Sequence, residues 1–243
     1  MERDLKDYSV NYLGPFEAIQ INFRRRKVLE IVEKLNPKNI LEVSCGTDSI
    51  VNYINYNAFE NFYIVEPIVE FLNVAITVKN HKIHTFNDIL ENVSALKHHT
   101  FDFIIVSGLL HEVVNPLSIM HTVHNLCSEK TIVHVNVPNA NSIHRLIAKQ
   151  AGLINSIYDK SETQKRLQQN HTFDFDSLLK LCQEAGFSCI EKGSIFIKPF
   201  THFQMQQLVD LNIIENKVLE GLYNLTSILP EFGSEIYLNL KKG

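Results

Sequence analysis

The sequence predicts an α/β fold, a mostly parallel seven-stranded sheet flanked by helices, with helical insertions that cap the substrate side. Three observations carry this expectation. Five short apolar runs alternate with amphipathic stretches of helical spacing, the pattern of successive β–α units joined by right-handed crossovers. The runs stop at small, polar or proline punctuation: Ser44-Cys45-Gly46, Glu66-Pro67, Asn87-Asp88, Ser107-Gly108 and Pro138-Asn139. The richest run, Phe101 to Ser107, is apolar enough for the middle of a parallel sheet covered on both faces.

Residues 16–35 carry apolar side chains at helical spacing and stop at Asn36-Pro37, so a helix is expected there. Asn39 to Val43 reads as a buried strand, and Asp48 offers a cap for a helix bearing Ile50, Val51 and Ile54. Phe62 to Val65 is the second strand, Val69 to Val78 a helix, and Lys82 to Phe86 the third strand. After the fourth strand, Leu117 to Leu126 is helical and Thr131 to Val137 is the fifth strand. Ser142 to Gln150 reads as a helix, Asp159 to Gln169 as an exposed polar stretch, and Asp176 to Ala185 as a helix stopped by Gly186. Phe187 to Ile197 is a strand, Phe203 to Leu229 a helical stretch and Glu235 to Leu240 the last strand. The segments Asn139–Asn170 and Pro199–Ile228 are long for bare loops, so both are expected to carry helices.

With 45% hydrophobic and 21% charged residues, the 243-residue chain suits a soluble globular protein. A formal charge of −4 supplies no basic field, which argues against a nucleic-acid partner. The one basic cluster, Arg24 to Lys27, reads as the solvated face of the first helix. Cys45, Cys127, Cys182 and Cys189 show no CxxC or metal-ligand spacing, so reduced thiols in the cytoplasm are expected. The charged N-terminus does not resemble a signal peptide, and no apolar run approaches the roughly 20 residues of a membrane span. No metal is expected: His98-His99 has no neighbouring ligand pattern, and HExxH is absent. The chain also lacks the GxSxG of a serine nucleophile and the GxGxxG of a nicotinamide enzyme.

In an open α/β sheet, ligands bind beyond the carboxyl ends of the strands. At the first such end, Glu42 precedes the small-residue turn Ser44-Cys45-Gly46, where backbone can approach a ligand and a carboxylate can meet an ammonium group. Glu66, followed by Pro67, stands 20 positions after Gly46, suited to a ribose diol. Asn87 and Asp88 close the third strand, where an amide or carboxylate can read an adenine amino group or cap a helix.

Together, Ile40-Leu-Glu-Val-Ser-Cys-Gly46, Tyr63-Ile-Val-Glu66-Pro, Phe86-Asn-Asp88-Ile-Leu and the run from Phe101 to Pro116 resemble, in order and spacing, the motifs of class I S-adenosylmethionine-dependent methyltransferases. The segments Val135-Asn-Val-Pro138-Asn, His171-Thr-Phe-Asp and Glu184-Ala-Gly186-Phe are similar to the branch acting on small molecules, including sugars and quinone precursors. The resemblance implies a Rossmann-like domain over residues 1–243. Residues 1–35 would form an N-terminal helical lid, 36–140 the cofactor-binding half, and 141–172 and 199–230 the helical insertions. It also implies cofactor roles. Glu42 would lie near the methionine amino group, and Ser44, Cys45 and Gly46 beside the methionine moiety. Glu66 and Pro67 would serve the ribose, and Asn87, Asp88 and Ile89 the adenine. Ser107, Gly108 and Leu109 would line the sulfonium end. Ser44 and Asp48 replace glycines that the family usually carries, which restricts positive φ at both positions.

Methyl transfer is an in-line displacement, so the protein must mainly align nucleophile, carbon and sulfur. An oxygen nucleophile can also need a base titrating near neutrality, which favours histidine. His111, four residues past Ser107, and His171, ahead of an apolar helix, are the candidate catalytic residues. Tyr8 and Tyr12 are candidates for an N-terminal lid or a surface anchor. The expected activity is methylation of an oxygen or nitrogen of a small acceptor, first a sugar or nucleotide-linked sugar of surface-polysaccharide synthesis and then a quinone or secondary-metabolite precursor. A homodimer is the candidate assembly. The rival reading is a catalytically silent binding protein that kept the fold, motivated by Ser44 and Asp48.

Overall fold

The computed structural model describes residues 14–78 and 80–243. The elements are α1 (Glu17–Leu35), β1 (Asn39–Val43), β2 (Asn61–Val65), α2 (Val69–Ala75), β3 (Ile83–Phe86), β4 (Phe103–Ser107), α3 (Pro116–Leu126), β5 (Ile132–Pro138), α4 (Ile143–Gln150), α5 (Glu162–Arg166), α6 (Phe175–Glu184), β6 (Phe187–Ile195), α7 (His202–Asp210), α8 (Asn216–Asn224) and β7 (Glu235–Lys242). One seven-stranded sheet runs in the order β3-β2-β1-β4-β5-β7-β6. All neighbours are parallel except β7, which is antiparallel to both β5 and β6. Strand order reverses at β1 and β4, and this switch point opens a crevice at the carboxyl ends.

The period-two alternation of the strands sorts side chains onto two cores. Ile40, Phe62, Ile64, Phe103 and Ile105 pack with Val28, Ile31 and Val32 of α1. Their neighbours in sequence, Leu41, Val65, Ile104 and Val106, pack on the opposite face with Ile119, Met120 and Val123 of α3 and Leu178 of α6. Both faces are covered, which explains why these strands read as continuous apolar runs.

Local chemistry sets the helix ends. Asn115 accepts from Ser118 N at 3.1 Å, with Pro116 in the first turn of α3. Capping boxes at Ser161, Asp174 and Thr201 start α5, α6 and α7. Gly186, at φ 91°, lies 2.9 Å from His124 Nε2 at the position a Cβ would take, so only glycine ends α6 this way.

Several elements differ from their sequence expectations. The helix expected after Asp48 is a single 3₁₀ turn, Ile50–Tyr53, whose cap is Ser49 accepting from Val51 N at 3.2 Å. Asp48 instead faces Arg25. The helix expected to Val78 ends at Ala75. The polar stretch Asp159–Gln169 contains α5, and Arg145 ties the preceding loop down by donating to Ile157 O at 2.7 Å and to Asp159 O. The stretch Phe203–Leu229 divides into α7, α8 and a 3₁₀ turn. Both helices join α1 through a separate aromatic cluster, in which Phe23 stacks on Phe196 at 4.7 Å and on Tyr223 at 5.2 Å. Among the described residues, no helix is long and apolar enough to cross a membrane.

One buried carboxylate fixes α1 over the strand ends. Glu235, the first residue of β7, accepts from Gln20 Nε2 at 2.9 Å, Arg24 Nε at 2.8 Å and Nη2 at 2.5 Å, and Asn136 Nδ2 at 2.7 Å. Burial raises its proton affinity, but the Arg24 guanidinium and these hydrogen bonds hold the carboxyl below its ordinary value. Its contribution to stability is therefore complete above the ordinary carboxylate range and is lost as pH falls through the depressed folded-state value. Arg24→Ala strands this charge and is expected to cost about 3–5 kcal/mol in urea unfolding. A loss below about 1 kcal/mol would show that the pair does not anchor α1.

Candidate active site

The loop after β1 turns sharply because Ser44 and Gly46 both adopt left-handed backbone, at φ 63° and 60°. Ser44 thus takes the conformation that a glycine would favour. Its N–H donates to Val65 O at 2.8 Å, joining the loop to β2. Glu66, only 1% exposed, accepts from Gly46 N at 3.1 Å, Ile68 N at 3.0 Å and the Ser44 hydroxyl at 3.5 Å. Burial raises this carboxyl, and the hydrogen bonds from Ile68, Gly46 and Ser44 oppose the shift. Glu66 therefore fastens the first loop to the tip of β2. Asn87 supports the same tip by donating to Glu66 O at 2.9 Å and Pro67 O at 3.1 Å. Asp88 accepts from Ile89 N at 2.8 Å and Asn92 Nδ2 at 2.9 Å, while the Ile89 side chain remains 47% exposed.

Glu42 is buried beneath the loop, where the Ser49 hydroxyl and Ile50 N, at 3.2 Å, donate to it. Burial pushes its carboxyl up to about 7. A cavity of about 90 Å³ lies above it, lined by Glu42, Ser44, Cys45 and Ser107 from the strand ends and by Arg24 and Arg25 from α1. The basic cluster is therefore divided. Arg25 donates to Asp48 at 2.6 Å with its guanidinium 4.2 Å over the Tyr53 ring, and Arg24 reaches Glu235. Arg26 and Lys27 form the outer face with Glu30 and Glu220. Helical periodicity alone does not distinguish these two pairs.

At the end of β4, Gly108 has φ 69°, and its N–H donates to Asn136 O at 3.0 Å. Leu109 and His111 are buried, and His111 Nε2 is 3.7 Å from Glu112 Oε1. The His111 carbonyl accepts from Asn170 N at 2.9 Å and His171 N at 3.0 Å, so the two candidate histidines meet along the backbone. Their rings serve different surroundings, because His171 Nε2 lies 3.2 Å from Val114 O. Tyr8 and Tyr12 lie outside the described residues.

Beside this crevice is a buried polar group that the sequence reading missed. Gln20, Glu17 and Arg24 of α1, Asn136 of β5 and Glu235 of β7 meet His202 at the start of α7, with His202 Nε2 3.1 Å from Gln20 Oε1 and Nδ1 3.6 Å from Glu17 Oε2. Lys198 is buried next to them, and burial lowers its ammonium to about 7. A local signal for it existed, since Lys198 is the only charge in the run Ile195-Phe-Ile-Lys-Pro199.

The residues fit the cofactor implied by the motifs. A left-handed loop leaves its backbone open to close approach, and two buried carboxylates stand on either side of it. The enclosed volume of about 90 Å³ is below the roughly 300 Å³ of a whole ligand cleft, so it accommodates one end of such a molecule. A wider groove of about 420 Å³ follows the β3 edge past Ile76, Val78, His81 and Ile83, and shares no residue with this site. Among the described residues, no three His, Cys, Asp or Glu side chains gather as metal ligands.

Comparison with known proteins agrees with this geometry. Residues 18–192 match the family model described as a methyltransferase domain. No curated protein matches the chain in sequence. An S-adenosylmethionine-dependent methyltransferase from Clostridium acetobutylicum superposes with a TM-score of 0.56 at 11% identity, over 91% of this chain and 92% of that one. The N-methyltransferase NodS from Bradyrhizobium japonicum gives 0.55 at 9% identity, over 93% and 96%. The plantazolicin methyltransferase BpumL, solved with SAH, gives 0.57 at 16% identity, over 97% and 87%. The sheet order, the loop at its switch point and the family match lead to one assignment: the chain belongs to the methyltransferase domain family and is an S-adenosylmethionine-dependent methyltransferase of the class I fold.

Proposed function

We propose that the chain methylates an oxygen or nitrogen of a small polar molecule, with a sugar or nucleotide-linked sugar as the first candidate acceptor. The observation that supports this is the buried polar group beside the cofactor crevice, to which α1, β5, β7 and the second helical insertion all contribute. A setting enclosed in this way suits a compact acceptor with hydroxyl or amino groups better than a polymer surface.

S-adenosylmethionine supplies a methyl group on a sulfonium, a leaving group that needs no further activation. In this reading Glu42 faces its ammonium, and Ser44, Cys45 and Gly46 present backbone to the methionine end. Glu66 and Pro67 border the ribose, Asn87, Asp88 and Ile89 border the adenine, and Ser107, Gly108 and Leu109 line the reacting end. His111 takes the proton that the acceptor atom loses as its new bond to carbon forms and the carbon–sulfur bond breaks, with His171 as the second candidate. A homodimer is the candidate assembly.

Titration calorimetry is expected to detect S-adenosylhomocysteine binding, and no binding at millimolar ligand would leave a silent protein. Glu66→Ala should weaken this binding by about 1.5–3 kcal/mol, whereas unchanged affinity would refute the ribose role. Because the Glu42 carboxyl titrates at about 7, more of it is charged as pH rises through that value. Affinity for the ammonium-bearing ligand should therefore strengthen with pH and level off above it, and Glu42→Gln should flatten the profile. With an acceptor found by screening sugars and nucleotide sugars, His111→Ala should lower turnover by about 10²–10⁴. If neither it nor His171→Ala does so, positioning alone drives the reaction.

A further inference from the structure

We propose that Lys198, with Ser142 and His144, binds an anionic group, a carboxylate or a phosphoryl group, carried by the methyl acceptor; this rests on the methyltransferase reading of the neighbouring crevice.

Lys198 is 4% exposed, and no described residue accepts a hydrogen bond or forms an ion pair with its ammonium. A buried ammonium without a hydrogen-bonded counter-charge is costly. Glu17 and Glu235 favour its charged form from a distance, and a ligand anion would supply a direct partner. The carboxylates nearest to it are already committed. Glu235 is held by Arg24, Gln20 and Asn136, and Glu17 by Arg24 at 3.4 Å. The other ionisable groups facing Lys198 are cationic or neutral bases: Arg145 and His144 of α4 and His202 of α7.

Two further polar atoms in this region have no partner. Ser142 stands at the N-cap of α4, yet its hydroxyl caps nothing and is buried without a hydrogen bond. His144 Nδ1, in the first turn, is also buried and unbonded. Ser142 and His144 thus leave a hydroxyl and an imidazole nitrogen unsatisfied in the first turn of an eight-residue helix, and the charge of Lys198 acts on His144. An anionic oxygen can accept from the hydroxyl and the ammonium, and from His144 in its Nδ1–H tautomer. Burial lowers both Lys198, to about 7, and His144. An anion binds the protonated lysine, so its affinity should decline as pH rises through that value.

The test uses the full chain, with acetate for a carboxylate and sulfate for a phosphoryl group, since neither titrates between about pH 6.5 and about pH 8.5. Calorimetry on wild type should show one or both anions binding, with affinity about tenfold or more weaker at the higher pH. Lys198→Met should lose that binding while keeping S-adenosylhomocysteine affinity near wild type. Binding of acetate alone would identify a carboxylate on the acceptor, and binding of sulfate alone a phosphoryl group. The proposal is overturned if neither anion prefers wild type over Lys198→Met, or if the preference does not change with pH. Failure of wild type to bind S-adenosylhomocysteine would instead overturn the reading on which it rests.

Discussion

A carboxylate removed from water must be solvated by the chain, and Glu235 obtains that solvation from two elements at once. Gln20 and Arg24 reach it from α1 and Asn136 from β5, while Glu235 itself opens β7. The arrangement joins residues more than 200 positions apart and fixes the first helix across the ends of the last strands. Arg24 also lines the cavity at the end of β1 and stands 3.7 Å from where a Cβ on Gly108 would lie. The crevice thus gains one of its walls from the same contact that ties α1 to the start of β7.

Much of the architecture was legible locally. Strands covered on both faces must be apolar along their whole length, so Phe62–Val65 and Phe103–Ser107 declared themselves. Their ends were marked because backbone leaving a sheet needs turn chemistry, supplied at Ser44, Gly46 and Glu66. The turn after Asp48 was misread since Ile50, Val51 and Ile54 fit one helical face, while Ser49 and Glu42 bind the same backbone and confine it to 3₁₀ geometry. No local window contains the relation of Arg24 to Glu235 or of His202 to Gln20. Those contacts exist only after the chain has folded back, which is why no local window reveals this buried polar group.

Ser44 shows how the loop tolerates a residue its backbone does not favour. A left-handed serine carries strain on the order of 1 kcal/mol, and its hydroxyl compensates in part by reaching Glu66 at 3.5 Å. Glu66 in turn collects the Gly46 and Ile68 amides, so the departure from glycine is absorbed within one small network. Its loss of conformational freedom is therefore no argument against a ligand beside it.

Arg24 and Arg25 are adjacent on α1, yet one faces Glu235 and the other Asp48 in the first loop. Neighbouring helical residues differ by about 100° in direction and about 1.5 Å in height, so these two bonds fix both the rotation and the rise of the helix. Inserting or deleting one residue between Gln20 and Arg24 would turn both guanidinium groups away from their carboxylates together. Natural variation in the length of this chain should therefore accumulate outside α1, in loops such as the one between α7 and α8.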